Sequence, residues 1–217
     1  MGEGLVRRTV HASAVALGAA IVLLPSPVGW HSAPLAAQPP APPTALPRQI
    51  DPLAAQVLER MPALEIEAAS VLAAAVRGES ESAGLDPLLV MAVIGVESAW
   101  EPGAVSERGA RGLMQLRKVT QAGEEREAGL VPGDVHDPAH NVRMGIRYLA
   151  RMVEVFGDED LGLMAYNTGP TRLSSYLQAV GEVPDSLWSY VRKVRREERK
   201  LRREMLRAEV LVADAAR

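Results

Sequence analysis

Between Leu88 and Val96 the chain reads LLVMAVIGV, a stretch with no polar side chain on any face of a helix. A helix that is apolar all round is buried all round, so this segment is predicted as the central core helix. Asp86 and Pro87 supply its N-cap and first helical position, and Gly84 offers a left-handed stop to whatever precedes it. Upstream, Asp51-Pro52 opens a helix that Pro62 interrupts or restarts. The segment from Leu64 to Arg77 then continues with Ile66, Val71, Leu72 and Val76 as packing residues. Downstream, Asp137-Pro138 caps another helix. After Pro184 the chain holds no Gly or Pro, and Asp185 or Ser186 can cap a long terminal helix. Leu187, Val191, Val194, Leu201, Met205, Ala208 and Val212 draw a narrow apolar stripe along it, broken at Glu198, and its first part is expected to pack on the main domain. No stretch alternates with period two, so strands should be few and short, around Gly109 to Leu116. The predicted fold class is mainly α, an α+β arrangement with at most a short β element and a long C-terminal helix.

Composition separates the ends from this middle. Arg7 and Arg8 precede an apolar run from Val10 to Leu24, followed by Pro25 and Pro27, which is the layout of a secretory signal. The run is short for a spanning helix, and Ala36-Ala37 offers a small-residue cleavage site. Residues 1–37 are therefore read as a signal peptide or a retained N-terminal anchor. Six prolines among alanines between Ser32 and Pro47 cannot build a core, and 38–50 is assigned as a linker. Leading helices at 51–81, a catalytic-sized domain at 82–194 and a C-terminal helical extension at 195–217 complete the division. With 47% hydrophobic residues, one good core is expected.

Charge is segregated as well. Arg192 to Arg207 holds nine Lys or Arg against three Glu, a balance of +6 inside a chain of net −3, which leaves −9 for everything else. That makes the terminal helix a basic rod, either a solvated face or a contact for anionic wall polymer, membrane headgroups or an envelope protein partner. No nucleic-acid role is read from it. The absence of cysteine excludes disulfides, thiolate metal sites, a cysteine nucleophile and an N-terminal cysteine lipid anchor. His136 and His140 make a poor zinc pair without further ligands, so no metal and no cofactor is expected.

The candidate chemistry begins at Glu97, where the dry helix ends. It shares a helical stripe with Val90, Val93 and Ile94, so desolvation should raise its pKa and suit it to general-acid work. An isolated Glu at a helix end more often marks only the point where a helix surfaces. The residues after Glu97 change that balance: a loop with Gly103, Gly109 and Gly112 can bend back beside the helix end and bring Ser106 and Gln115 as polar partners.

ESAWEPGAVSERGARGLMQL, from Glu97 to Leu116, resembles the catalytic segment of the bacterial lytic transglycosylases related to the soluble lytic murein transglycosylase. The family's glutamate-serine pair falls on Glu97-Ser98, its alanine-valine-serine on Ala104-Val105-Ser106, and its glycine-leucine-methionine-glutamine on Gly112-Leu113-Met114-Gln115. Asp137-Pro138, Asn141, Gly145 and Tyr148-Leu149 match a later series, in which Asn141 is structural. Ala165-Tyr166-Asn167 matches the alanine-tyrosine-asparagine motif that supplies a hydroxyl and an amide to the cleft. The resemblance covers Ser82 to Val194 and implies a lysozyme-like fold, a catalytic Glu97, and substrate-binding Ser106, Met114, Gln115, Tyr166 and Asn167. Where the family usually carries a methionine lining the glycan cleft, this chain has Arg117-Lys118. The second departure, Thr168 for alanine, is mild.

The reaction implied by the resemblance is cleavage of the bond between N-acetylmuramic acid and N-acetylglucosamine in peptidoglycan, by an exported protein acting in the periplasm or cell envelope. Glycosidases ordinarily need two carboxylates, but substrate-assisted enzymes need one, and neither Glu101 nor Glu107 lies on an apolar stripe like that of Glu97. The resemblance assigns catalysis to Glu97 alone, which would act first as acid and then as base, closing a 1,6-anhydro ring. The alternatives are a hydrolytic muramidase on the same fold and a non-catalytic wall-binding or assembly protein.

Overall fold

In the computed structural model, residues 50–179 and 183–215 are described; the signal and nearly all of the linker expected at 1–50 lie outside them. The first helix, α1 (Pro52–Arg60), begins where Asp51 Oδ1 accepts the amide of Leu53 at 2.8 Å, and it stops before Pro62. α2 (Ile66–Ser82) buries Leu72 and Val76, but Ile66 and Val71 are exposed, contrary to expectation. The buried stripe of α2 runs instead through small residues, Ala69, Ala73 and Ala75, which let neighbouring helices approach closely.

Gly84 turns the chain at φ +68° into α3 (Pro87–Ser98), capped by Asp86 Oδ1 on the Leu88 amide at 2.8 Å. Every residue from Leu88 to Ile94 is buried, as a helix without a polar face requires. After α3 the two-stranded hairpin β1 (Ala110–Arg111) and β2 (Leu116–Arg117) pairs antiparallel, Ala110 opposite Arg117 and Arg111 opposite Leu116. Its turn is closed by Gly112 at φ +76°, where an added Cβ would lie 2.5 Å from the Asn141 side-chain nitrogen; only glycine fits there.

α4 (Lys118–Glu127) leads through a loop to α5 (Pro138–Phe156), capped by Asp137 on the His140 amide at 2.6 Å. Glu125 ties that loop down by accepting from Gln121 Nε2 and the Gly133 amide, with His140 Nε2 at 2.7 Å. α5 packs against α2, α4 and α6 (Glu159–Thr168); α7 (Pro170–Ala179) comes next. The 31-residue α8 (Asp185–Ala215) returns across α3 and α6. Its apolar stripe is buried at Leu187, Val191, Val194 and Leu201, and Met205 is partly covered, while Ala208 is exposed. The helix is continuous through the boundary expected at 194/195, and Leu201 is fully buried, so packing on the domain continues well past it. Ion pairs fasten the same stretch: Arg195 to Asp160 at 2.6 Å, Arg202 to Asp86 at 2.6 Å, and Glu204 to Arg60 of α1 at 2.6 Å.

Candidate active site

The last turn of α3 delivers Glu97 to the mouth of a cleft of about 330 Å³ whose lining includes Ser106, Arg108, Gln115, Arg117, Tyr148, Tyr166 and Asn167. Four of the five expected binding residues thus meet Glu97 in one concavity. Among the residues lining the cleft, Glu97 is the only carboxylate; Glu101 instead turns back to accept the Gly103 amide at 3.1 Å. A larger hollow of about 600 Å³ between α2, α4 and α5 offers no comparable set: its Arg147 and Arg151 are paired with Glu79, Glu124 and Glu127.

Burial pushes the Glu97 carboxyl above its ordinary pKa, and a hydrogen bond from Tyr190 Oη to Oε1 at 2.7 Å pulls the other way. Desolvation is the larger effect, so the proton is held more tightly than on a free glutamate. Tyr190 is the site residue that sequence reasoning missed. It belongs to α8, on the same buried strip as Leu187, Val191 and Val194, and a buried tyrosine needs a partner for its hydroxyl. That strip position was the available signal; which group 93 positions away would receive the bond was not.

Both tyrosines around Glu97 are held well above the ordinary phenol pKa, by burial first and then by the neighbouring carboxylate. They stay protonated and serve as donors. Tyr166 Oη donates to the Met114 carbonyl at 2.6 Å, and its ring leans on Tyr148 with centroids 5.4 Å apart. Met114 itself corrects an expectation. Its side chain is fully buried, packed where an added Cβ on Gly145 would come within 2.4 Å of the sulfur, so it cannot touch a substrate. Its contribution is the backbone carbonyl that fixes Tyr166.

The glycine-containing loop is pinned by side chains that also face the cleft. Ser106 Oγ accepts the Ala110 amide at 3.0 Å, and Gln115 Nε2 donates to the carbonyls of Ala104 at 3.2 Å and Gly112 at 3.0 Å. With its nitrogen occupied, Gln115 has its carbonyl oxygen left to accept from a ligand. Asn167 is exposed and its amide makes no hydrogen bond among the described residues. Ala99 and Trp100, directly after α3, and Gln115 all adopt positive φ (50°, 68° and 47°), so the three non-glycine residues in this strained region among the described residues flank the site. Ser98 Oγ steadies the first pair by accepting the Trp100 amide at 3.2 Å.

Residues 74–189 match the transglycosylase SLT domain family. The soluble lytic murein transglycosylase of Escherichia coli K12 is 35% identical over 92 residues, covering 40% of this chain and 14% of that protein. The membrane-bound lytic murein transglycosylase F of Alcanivorax borkumensis is 32% identical over 123 residues, 52% of this chain and 25% of that one. The chain thus spans a quarter or less of the length of these two relatives. Among solved structures, an inactive mutant of the lytic transglycosylase Slt from Pseudomonas aeruginosa superposes with a TM-score of 0.54 at 26% identity, over 61% of this chain and 24% of that one. The 70 kDa soluble lytic transglycosylase of Escherichia coli gives a TM-score of 0.56 over 70% of this chain and 30% of its own; at 22% identity that likeness concerns the fold. The matched region takes in more than half of the 217 residues and every residue lining the cleft, ending one residue short of Tyr190, and on that ground the chain belongs to the transglycosylase SLT domain family, with its helical, lysozyme-like fold.

Proposed function

We propose that this chain is a peptidoglycan lytic transglycosylase in which Glu97 serves first as general acid and then as general base. The observation that carries the reading is a single desolvated carboxylate in a cleft whose other lining residues supply none. Protonated Glu97 gives its proton to the glycosidic oxygen between N-acetylmuramic acid and N-acetylglucosamine, and that bond breaks as the acetamido oxygen of the muramic acid stabilises the oxocarbenium-like centre. The resulting Glu97 carboxylate then removes the proton of the C6 hydroxyl, whose oxygen closes the 1,6-anhydro ring. No water is consumed. Ser106, Gln115, Tyr166 and Asn167 orient the sugar and the carboxyl. The envelope is the compartment this substrate requires, a reading that the leader-like segment before Pro25 supports. Digestion of purified peptidoglycan followed by mass analysis tests the proposal. Anhydro-muropeptides are expected; products heavier by one water, with reducing muramic acid, would show hydrolysis instead.

Tyr190→Phe tests the acid step. The lost hydrogen bond stabilises the ionised form of Glu97, so its removal raises the Glu97 pKa further. Activity needs the protonated acid and falls as pH rises through that pKa. The alkaline limb of the pH profile should therefore move upward by about one to two units, the worth of a hydrogen bond to a charged acceptor. A pH–rate profile on solubilised glycan measures this, and an unmoved limb would remove Tyr190 from the acid's environment.

Arg117 is exposed on β2 and lines the cleft, where it makes no ion pair among the described residues. Its guanidinium can meet carboxylates of the stem peptides in a charge-assisted pair. Arg117→Met should reduce the preference for peptide-bearing over peptide-stripped glycan by up to about fivefold, and high salt should erase the wild-type preference alike. Rates on the two substrates settle it; equal ratios for both proteins mean that Arg117 makes no such contact.

A further inference from the structure

Within the basic stretch of α8 from Arg192 to Arg207, the three acids point one way and most of the bases another. Glu198 pairs with Arg195 at 3.1 Å and Arg202 at 3.0 Å, Glu204 with Arg60 at 2.6 Å, and Glu197 with Lys200 at 3.4 Å; all three are at least half-buried toward the body of the domain. Lys193, Arg196, Arg199, Arg203 and Arg207 are exposed and make no ion pair or hydrogen bond among the described residues. Spacings of three, three, four and four put these five on one strip of the helix, about 21 Å long at 1.5 Å per residue. The strip lies across the helix from Tyr190, Val194 and Leu201, which are buried against the core.

Toward its C-terminal end the same face becomes apolar. Arg199, Arg203, Leu206 and Val210 succeed one another at helical spacing, and Leu206, Val210 and Leu211 are 56%, 59% and 69% exposed and share a shallow hollow with Arg207. Large apolar side chains next to one another in water call for a cover. The rest of the chain is net negative, so this is a local patch of +6 between Arg192 and Arg207 and not a general basicity. Asp214 is the one acid continuing this row beyond the apolar patch.

We propose that the outward face of α8 from Lys193 to Leu211 docks on an anionic lipid bilayer, its cations on the headgroup phosphates and Leu206, Val210 and Leu211 at the acyl boundary. A soluble anionic polymer would satisfy the cations and leave the three apolar side chains in water; a bilayer surface satisfies both. The contact is interfacial: among the described residues no helix is long and apolar enough to cross a membrane. The buried strip, with Tyr190 on Glu97, is left undisturbed, so docking and the cleft use different sides of α8.

Co-sedimentation of the full chain with vesicles tests this, comparing pure phosphatidylcholine with an equimolar mixture of phosphatidylcholine and phosphatidylglycerol. Wild type should bind the mixed vesicles at least tenfold more tightly, and high salt should weaken that binding. A charge variant, Arg199→Glu with Arg203→Glu and Arg207→Glu, should fall to the phosphatidylcholine level. An apolar variant, Leu206→Ser with Val210→Ser and Leu211→Ser, should lose at least fivefold while keeping its circular dichroism and its rate on solubilised glycan. Equal binding of wild type to both vesicle types overturns the proposal, as does mixed-vesicle binding unchanged in the charge variant. Full retention in the apolar variant, with inorganic polyphosphate displacing the protein from the vesicles, would assign the face to a polyanion instead.

Discussion

Glu97→Gln is expected to leave the protein folded and to lower muropeptide release by about a thousandfold or more, the range that a positioned acid–base group supplies. The amide keeps the shape of the side chain, and its oxygen can still accept from Tyr190 Oη, but it can neither give nor retrieve a proton. Stability should move the other way. Because burial raises the Glu97 pKa, the folded state holds that proton after the unfolded chain has released it. Its contribution to stability is therefore intact below the ordinary carboxylate pKa and declines as pH rises toward and through the raised value. Glutamine carries no such liability. The variant should match wild type in acid and become the more stable protein toward neutral pH, the pattern of a site whose chemistry is kept at the expense of stability. Urea unfolding of both proteins across that range, alongside release assays on peptidoglycan, measures the two effects. Substantial residual turnover would mean that a second group shares the acid role.

The elements legible in the sequence are those whose causes are local. The Leu88 to Val96 run has no polar face and must be buried, and Asp51-Pro52, Asp86-Pro87 and Asp137-Pro138 are caps whose carboxylates bond amides two or three residues on. Ser106, Gln115, Tyr166 and Asn167 were legible as cleft residues through motif resemblance, and they do share a concavity with Glu97. What escaped depends on which partner a side chain finds across the fold. Met114 reads like its neighbour Gln115 in sequence, yet in a turn successive residues point apart; one enters the space that Gly145 leaves open and the other faces the cleft. Tyr190 and Glu97 are far apart along the chain, and only the packing of α8 on α3 makes them neighbours. Ile66 and Val71 show the same limit from the other side, since apolar character alone did not say which face of α2 the alanines would win.

Asn141→Ala should cost about 2–4 kcal/mol, because a fully buried amide here holds a turn by both of its ends. Oδ1 accepts the Met114 amide at 2.8 Å and Nδ2 donates to the Arg111 carbonyl at 3.1 Å, so α5 grips the hairpin turn on either side of Gly112. Alanine strands the Met114 N–H in the core and weakens the hold on Arg111, while leaving a small void. For a domain of this size the loss corresponds to a melting temperature lower by about 4–16 °C. The consequence reaches the site, since the same turn carries Gln115 at positive φ and the Met114 carbonyl that receives Tyr166. Once the turn relaxes, Gln115 has less to keep it in its strained backbone state, and Tyr166 loses a fixed acceptor. Activity per folded molecule should therefore fall as well, by about tenfold or more, as catalytic geometry loosens. Asn141→Asp separates the two bonds: it keeps an acceptor for Met114 but turns a carboxylate oxygen on the Arg111 carbonyl, so it should rescue little of either loss. Melting curves and rates measured well below the transition check both variants, and a melting temperature within about 2 °C of wild type would mean that the turn is held by the Gln115 and Ser106 bonds without Asn141.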